Sequence, residues 1–220
     1  MLFQLLDSPT PETLINAMAW IIALILGITV HEFSHALAAT WLGDPLPQRQ
    51  GRLTLSPLAH LDPVGTLMLL VAPMGWGKPV QYNPYALRAN LRYGPLLVSV
   101  AGPLSNFILA VAFAIPTRLA HIPLAQSESY AAYVLSVILT QVVYLNLMLG
   151  FFNLIPIFPL DGFAILRGLL PPELAEQFEQ TRQWGPFILL LLVFAGGSVL
   201  GLILYRPVGL LMQLLTGTRF

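Results

Sequence analysis

Four stretches of this chain run for about 20 residues or more with almost no charge, and that limits what it can fold into. They are Leu14 to Leu42, Pro95 to Thr117, Tyr130 to Ile155 and Pro186 to Tyr205. Each is long enough, as a helix rising about 1.5 Å per residue, to cross the roughly 30 Å hydrocarbon core of a bilayer. A fifth apolar stretch, Val64 to Trp76, is too short to cross and is broken by Pro73 and Gly75. It reads as a re-entrant or interfacial segment. The expected fold is an all-α integral membrane protein with four transmembrane helices, organised as one polytopic domain over residues 1–220.

Composition agrees. Charged residues make up 9% of the chain, against roughly 25% in a soluble domain, so too few charges remain to coat a surface in water. Ten basic residues balance ten acidic ones, and with no basic footprint nucleic acid is not an expected partner. There is no cysteine, which excludes disulfides, thiolate metal sites and cysteine nucleophiles. The N-terminus lacks the basic region of a cleavable signal peptide. Two Pro- and Gly-rich loops, Gly43–Pro63 and Gly77–Gly94, separate the apolar runs. Within the second, Lys78–Tyr82 is a candidate short strand, and Glu173–Glu179 is a candidate surface helix.

The first apolar run carries His31-Glu32-Phe33-Ser34-His35. On a helix, positions i and i+4 share a face, so both imidazoles can bind one zinc ion. Glu32 then sits where its carboxylate can reach a metal-bound water. Ionisable groups inside a membrane helix cost about 2.5–3.5 kcal/mol each on insertion, so they are seldom idle. Two histidines leave a catalytic zinc short of a ligand. Among Asp44, His60, Asp62, Glu128, Asp161 and the Glu173–Glu179 cluster, Asp161 is the best third candidate. It follows the third run in Asn153-Leu154-Ile155-Pro156-Ile157-Phe158-Pro159-Leu160-Asp161-Gly162, where two prolines end the helix and Gly162 permits unusual dihedrals. A helix N-cap for 162–169 is the other reading of Asp161. His60 and Asp62 could form a second metal pair, although a loop histidine and an Asp-Pro turn suit them better.

HExxH in a membrane helix followed by NxxPxxxxDG resembles the site-2 protease family of intramembrane zinc metalloproteases. The resemblance runs from about Ala23 to Leu170 and includes Gly102-Pro103-Leu104-Ser105-Asn106 in the second run. His60-Leu61-Asp62-Pro63 and Gly77-Lys78-Pro79-Val80 are similar to the compact bacterial members, with no PDZ or CBS domain evident. Phe163 departs from the small residue many relatives carry after Asp-Gly. The resemblance implies that His31, His35 and Asp161 bind Zn2+ and that Glu32 is the general base. It also implies that Asn153 helps hold the substrate or the oxyanion. Read from the residues alone, Asn153 is equally a helix–helix hydrogen-bonding group, as are Asn146, Gln141 and Asn106.

For His35 and Asp161 to share a metal, the C-terminal ends of the first and third runs must lie on one side, so Val64–Trp76 should not cross. Seven arginines and lysines (Arg49, Arg52, Lys78, Arg88, Arg92, Arg167, Arg182) fall on that side, against Arg118, Arg206 and Arg219 on the other. The bias makes the metal side cytoplasmic. The expected protein is an endopeptidase of a bacterial plasma membrane that cleaves transmembrane segments of other proteins. A catalytically silent zinc-binding regulator and an ion transporter with a His/Glu relay are the alternatives.

Overall fold

The computed structural model describes residues 10–71, 75–125 and 129–217, and among them there is no β-strand. Helix α1 (Pro11–Trp41) opens on a capping box, in which Thr10 and Thr13 exchange side-chain and backbone hydrogen bonds and Pro11 occupies the first turn. After it come the short α2 (Pro63–Val71), the long α3 (Tyr93–Ala125) and α4 (Tyr130–Asn153). Two short helices follow, α5 (Asp161–Leu169) and α6 (Pro172–Glu179), then α7 (Gly185–Ala195) and α8 (Gly197–Thr216). By length and composition α1, α3, α4 and α8 can each cross a membrane.

Helices α1, α3 and α4 form the central trio. Ala23, Leu24 and Ile28 of α1 pack on Val142 and Leu145 of α4. On the other flank, Ala110 and Ala114 of α3 and Val143 and Leu147 of α4 meet Leu200, Leu204, Val208 and Met212 of α8. Small residues at these contacts let the backbones approach, which matters where lipid removes the usual hydrophobic drive. The outer faces are apolar: Leu14, Met18 and Ile22 of α1 and Leu104, Ile108 and Ile115 of α3 are exposed at helical spacing. Polar groups are inside, with Thr29, His31, His35, Asn106 and Asn146 all buried. That inversion is the pattern of an integral membrane protein.

Three expectations need amending. The fourth span is Gly197–Thr216, not Pro186–Tyr205. The Gly196-Gly197 pair ends α7 after 11 residues, about 16 Å of helix, which is too short to cross. The span continues through a π-helical turn at Gly201–Tyr205, next to Pro207, which has no N–H for the Ile203 carbonyl. Arg206 consequently lies within this helix rather than in a loop. Lys78–Tyr82 forms no strand, because nothing among the described residues pairs with it in a ladder; a lone antiparallel bridge joins Leu61 to Gly77.

The two ends of Val64–Trp76 lie together, as a re-entrant segment would require. The Lys78 N–H donates to the His60 carbonyl at 2.7 Å, and Gly65 lies so close to Trp76 that a Cβ would strike its carbonyl. The segment therefore leaves and rejoins the fold at one place. Its nine-residue α2 spans about 14 Å, under half the hydrocarbon thickness. Pro73 lies outside the described residues.

Candidate metal centre

His31, Glu32 and His35 lie on the last third of α1, and the two imidazoles share a face, ring centroids 4.6 Å apart and nearly perpendicular. Helix α3 crosses this face at Gly102. A Cβ there would sit 2.6 Å from His31 Cε1 and closer still to His35 Nε2, so glycine leaves the room the rings occupy. The third group arrives from α5. The chain leaves α4 at Asn153, turns through Leu154–Leu160 with Pro156 and Pro159, and starts α5 at Asp161. Gly162 serves this turn differently from its expected role. Its φ is not positive; a Cβ would instead collide with the Leu154 and Ile155 carbonyls, so glycine lets α5 sit against the end of α4. Asp161 is the first residue of α5 and Leu160 its N-cap, with no side-chain capping bond. The Asp161 carboxylate is thus free of capping duty.

Three ligand atoms converge. His31 Nε2 and His35 Nε2 are 3.0 Å apart, and Asp161 Oδ2 lies 3.1 Å from the first and 3.2 Å from the second. Among the described residues these are the only three His, Cys, Asp or Glu groups so arranged. Their protonation is set from behind. His35 Nδ1–H donates to the Val98 carbonyl at 2.8 Å, and His31 Nδ1–H donates to Asn106 Oδ1 at 2.7 Å. With Nδ1 held in this way, each ring turns its Nε2 toward the carboxylate. Asp161 Oδ2 is buried with no hydrogen-bond partner among the described residues. Three such donor atoms facing one point are an arrangement that a metal cation between them would satisfy. A tetrahedral zinc with bonds of about 2.0–2.1 Å has ligand-to-ligand edges of about 3.3 Å, within a few tenths of the observed triangle. The donor set, two imidazoles and one carboxylate, is one that zinc accepts.

Glu32 points into the same cavity, its Oε2 accepting the Val80 N–H at 3.2 Å and lying 3.7 Å from Arg52 Nη2. Arg52 is buried and also donates to the carbonyls of Ala59 and Lys78, so one guanidinium ties Glu32 to both flanks of the re-entrant segment. Burial pulls Arg52 below its ordinary pKa, and Glu32 opposes that shift. The cavity holds about 350 Å3 and is lined by His31, Glu32, His35, Tyr82, Asn153 and Asp161, among others. Tyr82 is kept neutral, since burial and then the Asp161 carboxylate push its phenol up.

Asn153 reaches this cavity wall but not the ligand triangle; its Nδ2 donates to the Leu149 carbonyl of its own helix at 3.0 Å. His60 is fully buried and bonds the Thr54 carbonyl through Nε2 at 2.7 Å, while Asp62 Oδ1 accepts the Gly65 N–H at the start of α2. They are structural, as the loop-and-turn reading expected. Asp44 is likewise spent on the backbone N–H groups of Leu46 and Asn83, and Glu128 lies outside the described residues. Phe163 is core, stacked on Phe178 and edge-on to Phe158. Asn106, Val98 and Arg52 are the residues sequence reading missed as parts of the site. Only Asn106 carried any signal, as an amide four residues after a glycine in an apolar run.

The helices and the convergent ligand set define an integral membrane protein with a zinc-type metallopeptidase centre. The profile of peptidase family M50 matches residues 117–196. YwhC of Bacillus subtilis, whose name assigns it provisionally to the zinc metalloproteases, is 39% identical over 181 residues, 79% of this chain and 78% of its own. Rip2 of Mycolicibacterium smegmatis, named in the same provisional way, is 30% identical over 198 residues, 85% of this chain and 71% of its own. The zinc metalloprotease MJ0392 of Methanocaldococcus jannaschii is 29% identical over 159 residues, 70% of this chain and 36% of its own. No solved structure matches significantly. This chain belongs to peptidase family M50, the site-2 protease family, and is a zinc metalloendopeptidase of the membrane.

Proposed function

We propose that this protein cleaves transmembrane segments of other membrane proteins at the His31–His35–Asp161 centre. The observation that carries the reading is the triangle of His31 Nε2, His35 Nε2 and Asp161 Oδ2, set between membrane-spanning helices beside Glu32. His31, His35 and Asp161 hold the zinc. Bound there, the metal supplies Lewis-acid activation of a water and of the scissile carbonyl. Glu32 takes the water's proton and returns it to the leaving amine. Asn153, at the cavity wall, steadies the substrate or the developing oxyanion through its amide. The substrate must unwind locally, because a helix hides its carbonyls in its own hydrogen bonds.

The centre faces the cytoplasmic leaflet of a bacterial plasma membrane. Arg49, Arg52, Lys78, Arg88, Arg92, Arg167 and Arg182 all follow the C-terminal ends of α1 and α4 in the chain, and a positive-inside bias supports the cytoplasm for that side. A second cavity of about 550 Å3, sharing Tyr82, Ser99 and Asp161 with the first and edged by Arg167, Glu179 and Arg182, gives water a route from that side.

The test is purified protein in detergent with membrane-embedded substrates, assayed with and without a zinc chelator, beside Glu32→Gln. Cleavage that needs zinc and is lost in a Glu32→Gln protein still holding its metal supports the reading. Turnover in that variant at full zinc occupancy refutes the base assignment. Cleavage of soluble peptides alone refutes the intramembrane substrate.

A further inference from the structure

Asn146 touches neither the ligand triangle nor the cavity, yet it is fully buried and hydrogen-bonded through both atoms of its amide. Its Nδ2 donates to the Val142 carbonyl at 2.8 Å. Its Oδ1 accepts from Asn106 Nδ2 at 2.9 Å. Asn106, also fully buried, gives a second bond from the same nitrogen to the Gly27 carbonyl at 3.2 Å and turns its Oδ1 to His31. The chain runs from α4 through α3 to α1. Gly27 makes room for it, since a Cβ there would lie 3.1 Å from Asn146 Oδ1 and 2.7 Å from Leu149.

We infer that Asn146 sets the zinc affinity of the site, acting through Asn106 on His31. The inference rests on the zinc-site reading given above. The logic is one of donors and acceptors. The Asn106 amide nitrogen faces two acceptors, Gly27 O and Asn146 Oδ1, so rotating the amide by 180° would set oxygen against oxygen twice. That penalty keeps an acceptor on His31 Nδ1, keeps the proton on that nitrogen and leaves Nε2 bare for the metal. Without Asn146, one of the two constraints is gone. An amide turned with its NH2 toward His31 would favour the other tautomer, with the proton on Nε2 where the metal must bind. Groups behind metal-bound histidines typically change metal affinity 10- to 100-fold. Asn146 is thus a positioning residue, one contact further out than usual.

Zinc affinity measured by chelator competition on the detergent-solubilised full chain tests this without any substrate. Asn146→Leu, similar in size and without an acceptor, is expected to weaken zinc about 10-fold, and Asn106→Leu about 10- to 100-fold. Asn146→Asp separates the relay from packing. A buried aspartic acid is neutral and offers one acceptor oxygen and one O–H donor, the two functions Asn146 uses, so its zinc affinity should stay within about threefold of wild type. The double variant Asn106→Leu/Asn146→Leu should bind zinc no more weakly than Asn106→Leu alone, because the second residue acts only through the first. Wild-type affinity in Asn146→Leu overturns the inference. So does an equal loss in Asn146→Leu and Asn146→Asp, or additive losses in the double variant. His31→Ala separates the underlying reading: if it binds zinc normally, the metal site itself is misassigned, whatever Asn146 does.

Discussion

Gly102→Ala adds one methyl group to the back of the metal site. The new Cβ would stand 2.6 Å from His31 Cε1 and closer to His35 Nε2, where ordinary carbon contacts need about 3.5–4.0 Å. One or both rings must therefore retreat by about 1 Å. Metal–ligand distances tolerate only about 0.2 Å. The retreat also stretches the 2.8 Å and 2.7 Å bonds that hold each Nδ1 to Val98 and Asn106. We expect zinc retention after dialysis to collapse and turnover to fall about 100-fold or more, equivalent to about 2.7 kcal/mol. The helix itself gains from the change, since alanine is about 1 kcal/mol better than glycine in a helix interior, so a weakened α3 cannot explain the loss. Gly209→Ala, with nothing among the described residues within 4 Å of its added Cβ, is the control and should behave as wild type. Metal analysis of both purified variants, with turnover on a membrane substrate, reads the result. A Gly102→Ala protein with full zinc content and normal turnover would refute the claim that α3 shapes this centre.

Asp161→Asn should release most of the zinc, because a neutral amide is a poor ligand, while His60→Ala should keep it and lose about 2–5 kcal/mol of stability from its filled, buried site; metal content and thermal melting separate the two. Arg52→Met leaves the Ala59 and Lys78 carbonyls without their donor and Glu32 without its cation, so the melting temperature should drop by an amount matching about 3–5 kcal/mol, with zinc content near normal. An unchanged melting curve would mean that the guanidinium ties nothing together. The side-chain amides of Gln50 and Gln81 meet at 3.1 Å, beside the two ends of Val64–Trp76. In this cysteine-free chain, Gln50→Cys/Gln81→Cys should therefore be bridged within one monomer by a flexible thiol-to-thiol cross-linker long enough to replace the two glutamine side chains. If the segment crossed the membrane, the pair would lie on opposite sides and no intramolecular cross-link would form.

The membrane setting and the candidate metal-binding pair are both legible in the residue order. Apolar runs of spanning length admit few other folds, and helical periodicity alone puts His31 and His35 on one face with Glu32 beside them, because these relations are local. Asp161 was legible for a related reason, a carboxylate just beyond a proline-broken helix end. The fourth span was misplaced because hydropathy averages over the Gly196-Gly197 break, while the backbone does not. What stands behind His31 and His35 is visible only once the helices are packed. Whether Asn106 bonds lipid-side neighbours or His31 depends on the rotation of α3 against α1, and nothing in a run of uncharged residues reports that rotation. The same holds for Arg52, which is distant from Glu32 along the chain and beside it only because the loop folds back under α1. Long-range polar pairing in a membrane protein is set by how helices are packed, and packing is a property of the assembled bundle, not of any one helix.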